Sequence, residues 1–491
     1  MLDHILLGVS AYGTFSLWIA LFSGAVIGYI IGAIPGLGPT LGVALLIPFT
    51  YGMDPLPAIV LLVAIYVAAE YGGAITAIII NTPGTAAAVA TSWDGYPMNK
   101  QGKAGQALNI SIITSGFGIF ISSIMLMLTA VPLSNLALKF GPAEYFAISV
   151  LGLSLVAGLS SDHPLKGAVA MGLGLMIAFV GLDPQTGVPR FTFSPSFYEG
   201  IPLVPVLLGL FALSEALIMV ESTRNKKPQN SIVKGILEVP ISLYMSMKWL
   251  ILKSALIGYA AGVIPGAGAS IASFLSYGEA KRSSKNPALF GNGSPEGIAA
   301  SETANNAAVS GSLAPLLALG IPGSATTAVL IGALMIQGVQ PGPLLFNNHP
   351  EIPYTIFVSL WVGIPIMVIL GLLGSKLWTR VANIRQEIIA ASIAGLALIG
   401  SYATSNSFFP VYITVVFGIL GYLMQKANFP TSPIILSLVL GELMENNLRR
   451  ALVAFQGDWT AFLFKPVALS LLILSILIFF TPLLKQTKKT K

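Results

Sequence analysis

Residues 34–40 read Ile-Pro-Gly-Leu-Gly-Pro-Thr, and residues 264–270 read Ile-Pro-Gly-Ala-Gly-Ala-Ser. Each motif interrupts an apolar stretch, and they lie 230 residues apart. Proline removes a backbone donor and ends a helix, while glycine reaches dihedrals closed to other residues. A second interruption follows each one. Asn81-Thr82-Pro83-Gly84-Thr85-Ala86 is matched by Gly320-Ile321-Pro322-Gly323-Ser324-Ala325, with the prolines 239 residues apart. Gly72-Gly73 upstream is matched in type by Gly311-Ser312, and Pro164 and Pro184 recur as Pro410 and Pro430. The chain therefore reads as two related halves.

Composition places those halves in a membrane. Of 491 residues, 55% are hydrophobic and 9% charged, where a soluble domain carries about 25% charged residues. Residues 4–53, 104–138, 303–350 and 388–425 contain no Asp, Glu, Lys or Arg. Each window holds at least one helix of the roughly 20 apolar residues that a bilayer requires. The absence of cysteine excludes disulfides, thiolate metal sites and cysteine catalysis. His4, His163 and His349 have no metal-ligand spacing. The net charge of +6 sits largely in short clusters between apolar segments, an orientation signal rather than a nucleic-acid footprint. The N-terminus lacks a basic n-region, so a cleavable signal peptide is not expected.

The expected fold is all-α and polytopic. Residues 1–220 form a first repeat, 221–253 a cytoplasmic linker with an amphipathic surface helix, and 254–447 a second repeat. Residues 448–491 hold a last transmembrane helix and a basic cytoplasmic tail with Lys485, Lys488, Lys489 and Lys491. Matched loops carry opposite charge bias. The loop at 51–54 has no basic residue whereas its counterpart holds Lys281, Arg282 and Lys285; Lys100 and Lys103 face a counterpart, 336–350, with none. That pattern predicts inverted repeats, a common transporter plan.

Broken backbone inside a membrane survives only where protein or a water-lined cavity satisfies it. The stretches Pro35–Thr40, Asn81–Thr85, Pro265–Ser270 and Gly320–Thr327 are thus expected to be helical-hairpin tips around one site. Free N–H groups at such breaks suit an anion, and free carbonyls suit a cation. The substrate-binding candidates are Pro35, Gly36, Gly38, Thr40, Thr82, Pro83, Gly84, Thr85, Gly266, Gly268, Ser270, Pro322, Gly323, Ser324 and Thr326. The cation-binding candidates are Asn81, Asn305, Asn306, Thr327 and Glu70, with Na⁺ or H⁺ as the coupling ion and no other cofactor. Tight turns and small-residue packing are the plain alternatives. No arginine lies at a tip, so substrate charge must meet amides, hydroxyls and a co-bound cation. Glu70 stands inside an apolar run, where a carboxyl is costly. Glu302 follows the polar stretch 281–297 and reads equally well as a surface residue, while Glu215 and Glu445 read as interfacial.

These motifs resemble the large membrane subunit of the tripartite tricarboxylate transporters, the TctA family. The likeness rests on Gly-Ala-Ile-Pro-Gly-Leu-Gly-Pro-Thr at 32–40, Tyr-Gly-Gly with Asn-Thr-Pro-Gly at 71–84, and Ile-Pro-Gly-Ala-Gly-Ala at 264–269. Asn-Asn-Ala-Ala at 305–308 and Gly-Ile-Pro-Gly-Ser-Ala at 320–325 complete it. The resemblance implies about twelve transmembrane helices, an elevator-like cycle, and cation-driven import of citrate-like di- or tricarboxylates across a bacterial inner membrane. It also implies a small four-helix membrane subunit and a periplasmic solute-binding protein as partners. A stand-alone anion carrier or a channel is the alternative, although duplicated helix breaks favour alternating access. Asp162-His163-Pro164 reads as a loop at a segment end, and an enzyme is not expected.

Overall fold

The computed structural model describes residues 2–159, 164–183, 185–222, 239–266, 268–381 and 384–489. Residues 223–238 of the expected linker, and Asp162 and His163, lie outside them. The helices in chain order begin with α1 (Leu2–Ala11), α2 (Phe15–Ala33), α3 (Gly38–Leu46), α4 (Pro55–Ile80), α5 (Ala88–Lys100) and α6 (Ala104–Ala137). Then come α7 (Pro142–Leu159), α8 (Pro164–Ala178), α9 (Leu203–Leu207), α10 (Ser214–Ser222), α11 (Ile241–Ser246), α12 (Lys248–Val263) and α13 (Gly268–Ser283). The rest are α14 (Pro295–Leu319), α15 (Ala325–Ile336), α16 (Leu345–Asn348), α17 (Glu351–Val381), α18 (Gln386–Ala403), α19 (Phe408–Lys426), α20 (Ser432–Ala454) and α21 (Pro466–Lys489). Among the described residues, seven helices are long and apolar enough to cross a membrane: 15–33, 55–80, 104–137, 203–221, 351–374, 386–403 and 408–426.

The chain forms two compact units, and each takes segments from both sequence halves. The first comprises Met1–Ser134 and Met219–Ser392, the second Asn135–Ile218 and Ile393–Lys491. Every candidate site residue lies in the first unit.

Within the first unit one run of elements occurs twice. In α2–α5 a helix ends at Ile34, breaks and restarts at Gly38; after α4 comes a second break and α5. In α12–α15 a helix ends at Ile264 and restarts at Gly268, and a second break separates α14 from α15. The backbone repeats as well. The caps Ile34 and Ile264 have φ/ψ of −91°/116° and −82°/116°. α4 and α14 both end on a left-handed residue, Asn81 at φ 52° and Gly320 at φ 72°. Each stands two residues before the proline of its Pro-Gly pair. Asparagine and glycine are the residues that enter this region readily.

Glycine seams hold the repeated helices together. α2 packs on α4, and a Cβ at Gly24 would stand 2.5 Å from the Leu61 carbonyl oxygen, at Gly28 2.7 Å from that of Ile65. α12 packs on α14 in the same way, with Gly258 and Gly262 against the carbonyls of Ala304 and Ala308. Helices that share the apolar character of lipid associate through such small residues, because only they let backbones approach.

The second unit is built from α7, α8, α9, α19, α20 and α21, with a π-helical turn at 208–213 against α19. The described strands are a two-residue antiparallel pair, 181–182 with 189–190. Behind them Arg190 and Arg449 bridge Asp183 and Glu445. The backbone amides of Thr186 and Gln185 and the Arg449 guanidinium hold Asp183 below the usual carboxylate range.

Candidate functional site

The breaks do not project outward as plain turns. The loop after Asn81 runs back along α4, where the Gly84 N–H donates to the Gly73 carbonyl at 3.1 Å. A Cβ on Gly84 would strike the carbonyl oxygen of Gly32 and the Cα of Gly73, and one on Gly72 would stand 2.9 Å from the Cα of Gly32. Three backbone segments therefore meet where no side chain fits. The second repeat makes the corresponding junction. A Cβ on Gly323 would stand 2.8 Å from the Gly262 carbonyl oxygen and from the Ser312 Cα. The Gly323 carbonyl accepts from the Gly266 N–H at 3.2 Å, tying that repeat's two breaks together.

A hydroxyl at each second break accepts from the backbone three residues on, although Ser324 caps α15 whereas Thr85 lies two residues before Ala87, the N-cap of α5. Thr85 Oγ1 accepts from the Ala88 N–H at 3.3 Å. Ser324, 239 residues further on, accepts from the Thr327 N–H at 3.2 Å. The Thr327 hydroxyl in turn accepts from the Ser324 N–H at 2.8 Å, a complete capping box.

Hydroxyls connect the two repeats. Thr40 on α3 and Thr326 on α15 share a hydrogen bond of 2.8 Å. The Tyr66 hydroxyl of α4 lies 3.0 Å from Ser312 Oγ and 3.2 Å from Ser324 Oγ. Ser273 on α13 donates to the Ala87 carbonyl at 2.9 Å. Thr40, Ser324, Thr326 and Thr327 are thus gathered at one place, with Tyr66 and Ser312 added to them. Neither of those two was singled out from sequence.

The other candidates are placed as follows. Pro35, Thr82, Pro83 and Gly266 are half-buried, Thr85, Pro322 and Gly323 are buried, and Gly36 is exposed. Gly36, Gly38, Gly266 and Gly268 all have positive φ, 92°, 47°, 82° and 58°, so each motif's two glycines serve the same turn. Ser270 is half-buried in the first turn of α13. Asn81 is exposed and its αL cap accounts for its residue type. Asn305 and Asn306 are fully buried four turns before the Gly320 cap, roughly 20 Å along α14. The fold-back of Gly323 onto Ser312 brings the tip closer to them. Both polar side-chain atoms of Asn305, the Oδ1 of Asn306 and the Oε2 of Glu70 have no hydrogen-bond partner among the described residues. Buried polar atoms without partners are rare and costly.

Glu302 is fully buried, not at the surface. It is hydrogen bonded to Thr91 of α5 and accepts from Ser115 of α6 at 3.2 Å, and Asn306 Nδ2 donates to the same Ser115 hydroxyl at 2.8 Å. No group of three or more His, Cys, Asp or Glu that could hold a metal occurs among the described residues.

A family model described as the tripartite tricarboxylate transporter TctA family matches residues 18–436. An uncharacterised 52.8 kDa protein of the TAR-I ttuC' 3' region of Agrobacterium vitis is 37% identical over 454 residues, covering 92% of this chain and 90% of that protein. An uncharacterised protein of the TAR-II ttuC' 3' region of the same organism is 41% identical over 230 residues, which is 47% of this chain and 95% of that protein. No solved structure matches.

Proposed function

The chain belongs to the tripartite tricarboxylate transporter TctA family, and from that premise we propose that it is the large membrane subunit of a secondary active importer of citrate-like di- and tricarboxylates. It works with a small four-helix membrane subunit and a periplasmic solute-binding protein in a bacterial inner membrane, with its C-terminus cytoplasmic. A cation gradient, Na⁺ or H⁺, drives uptake.

The observation that carries this reading is the duplicated re-entrant break. Pro83-Gly84 and Pro322-Gly323 fold back onto glycine seams, and a set of hydroxyls from both repeats gathers beside them. Carboxylates are recognised by hydroxyl and amide donors, and Thr40, Thr85, Ser324 and Thr326 supply such donors without a basic side chain. The pairings of α3 with α15 and α13 with α5 support a two-fold relation between the repeats. Taken with the opposite charge bias of matched loops, they support inverted repeats and an elevator-like movement of paired hairpins.

The test is accumulation of a panel of labelled di- and tricarboxylates in proteoliposomes holding all three components, under imposed Na⁺ or pH gradients. Accumulation against a concentration gradient is expected for at least one acid. Conduction faster than a carrier cycle, or no uptake of any acid, refutes the reading.

A further inference from the structure

We propose that Glu302 is a proton-binding site, making the proton the coupling ion; this rests on the reading of the chain as a cation-driven carrier. Glu302 and Glu70 are both more than nine-tenths buried. Glu70 lies on α4, which packs on α14, and one turn before it the Tyr66 hydroxyl meets Ser312 and Ser324 at the tip. No lysine, arginine or histidine makes an ion pair with either among the described residues. A carboxylate in that position lacks a compensating charge.

The hydroxyls around Glu302 form a chain that can point either way. Ser301 Oγ stands 2.9 Å from the Gly297 carbonyl, Thr91 Oγ1 stands 3.0 Å from Ser301 Oγ, and Thr91 Oγ1 is hydrogen bonded to Glu302 Oε1. With a proton on Oε1, Glu302 donates to Thr91, Thr91 to Ser301, and Ser301 to Gly297. With Glu302 ionised, Ser301 turns to donate to Thr91 and Thr91 to Oε1. Oε2 accepts from Ser115 in both states, and Ser115 accepts from Asn306 Nδ2. Two hydroxyl rotations thus exchange one state for the other with every member bonded. On release the O–H bond at Glu302 Oε1 breaks and one forms on solvent water, leaving the carboxylate held by Thr91 and Ser115.

Glu70 Oε2, Asn305 Oδ1, Asn306 Oδ1 and Ser310 Oγ are also buried without a hydrogen-bond partner among the described residues, so a Na⁺ ion is the competing occupant that the gradient experiment below separates from a proton. The surrounding titratable groups are few. α4 presents Glu70, Tyr66 and Tyr71. α5 presents Asp94, which accepts from the Tyr277 hydroxyl of α13 and from the amides of Gly291, Gly293 and Ser294. α12 presents Tyr259, bonded to Thr129. α6 and α15 carry no charged residue.

Two measurements test the proposal. In the infrared spectrum of the full chain in lipid at neutral pH, a protonated-carboxyl C=O band is expected that is lost in Glu302→Gln and shifted in Thr91→Val. If Glu302→Gln removes no band and Thr91→Val shifts none, Glu302 does not hold the proton. In proteoliposomes with all three components and labelled citrate as probe, Glu302→Gln should lose pH-gradient-driven accumulation while keeping citrate exchange, which moves no net proton. Wild-type-like accumulation in Glu302→Gln overturns the proposal. So does wild-type uptake that follows a Na⁺ gradient and ignores pH, which leaves the carrier reading standing. Uptake that ignores both gradients removes the cation-driven reading itself and the coupling role with it.

Discussion

The two repeats of the first unit, α2–α5 and α12–α15, share a backbone and differ in what they display on it. Their breaks, left-handed caps and fold-back glycines correspond. Their long central helices do not. α4 is apolar throughout apart from Tyr66, Glu70, Tyr71 and Thr76, whereas α14 buries Ser301, Glu302, Thr303, Asn305, Asn306, Ser310 and Ser312. At an offset of 239, Tyr66 matches Asn305 and Glu70 matches Val309. The duplicated part is the scaffold that makes and supports two re-entrant tips. The asymmetric part is the buried polar chemistry, and it has only one copy to serve both tips.

The sharpest way to break this comparison is to fill the two backbone junctions. Gly84→Ala places a methyl on the Gly32 carbonyl, whereas Gly323→Ala meets its nearest atoms at 2.8 Å. Overpacking of this kind costs about 1–3 kcal/mol, and the first repeat, being tighter, should lie at the upper end. Uptake in proteoliposomes should therefore be abolished by Gly84→Ala and reduced by Gly323→Ala, and both Leu variants should abolish it. Equal tolerance of the two alanines would show that the first junction is no tighter than the second, against the geometry. Membrane insertion, followed by the amount of full-length chain extracted from membranes, should survive in all four.

The breaks were legible in sequence because their causes are local. A Pro-Gly pair in an apolar run ends a helix whatever surrounds it, and an offset shared by several such pairs exposes a repeat. Burial of a polar helix is not local. Glu302 follows the polar stretch 281–297 and reads equally well as a surface residue, and only the packing of α14 among α12, α13, α5 and α4 turns it inward. Tyr66 gave no signal within its apolar run, although its match to Asn305 marks a position where both repeats carry a polar side chain. Asn81 shows the opposite case: its place at a break suggests a cation ligand, and its exposure and αL backbone supply a structural reason for the same residue.

That last point separates cap from ligand by exchange. Asn81→Gly keeps the left-handed backbone and should leave both the thermal midpoint in detergent and the Na⁺ and pH responses of uptake unchanged. A changed ion response would restore Asn81 as a ligand. Asn81→Val should lose roughly 1–2 kcal/mol, the usual cost of forcing a side chain into this region. The reverse exchange is not symmetric. A Cβ at Gly320 would stand 2.8 Å from the Pro341 carbonyl, so Gly320→Asn should lower the midpoint where Asn81→Gly does not.

The smallest difference lies in the helix caps. Ser324 caps α15, receives the Thr327 hydroxyl in return and touches Tyr66, whereas Thr85 offers α5 a single 3.3 Å bond and Ala88 has no hydroxyl to answer with. A cap of this type contributes about 1 kcal/mol. Ser324→Ala should therefore lower the thermal midpoint clearly and Thr85→Ala barely. The Tyr66 contact can be separated from the cap by a double-mutant cycle. Tyr66→Phe removes bonds to both Ser312 and Ser324, so it should cost less on the Ser324→Ala background than alone. If the two losses add, Tyr66 is held by Ser312 only, and the link between the first repeat's central helix and the second repeat's tip runs through α14 rather than through the cap of α15.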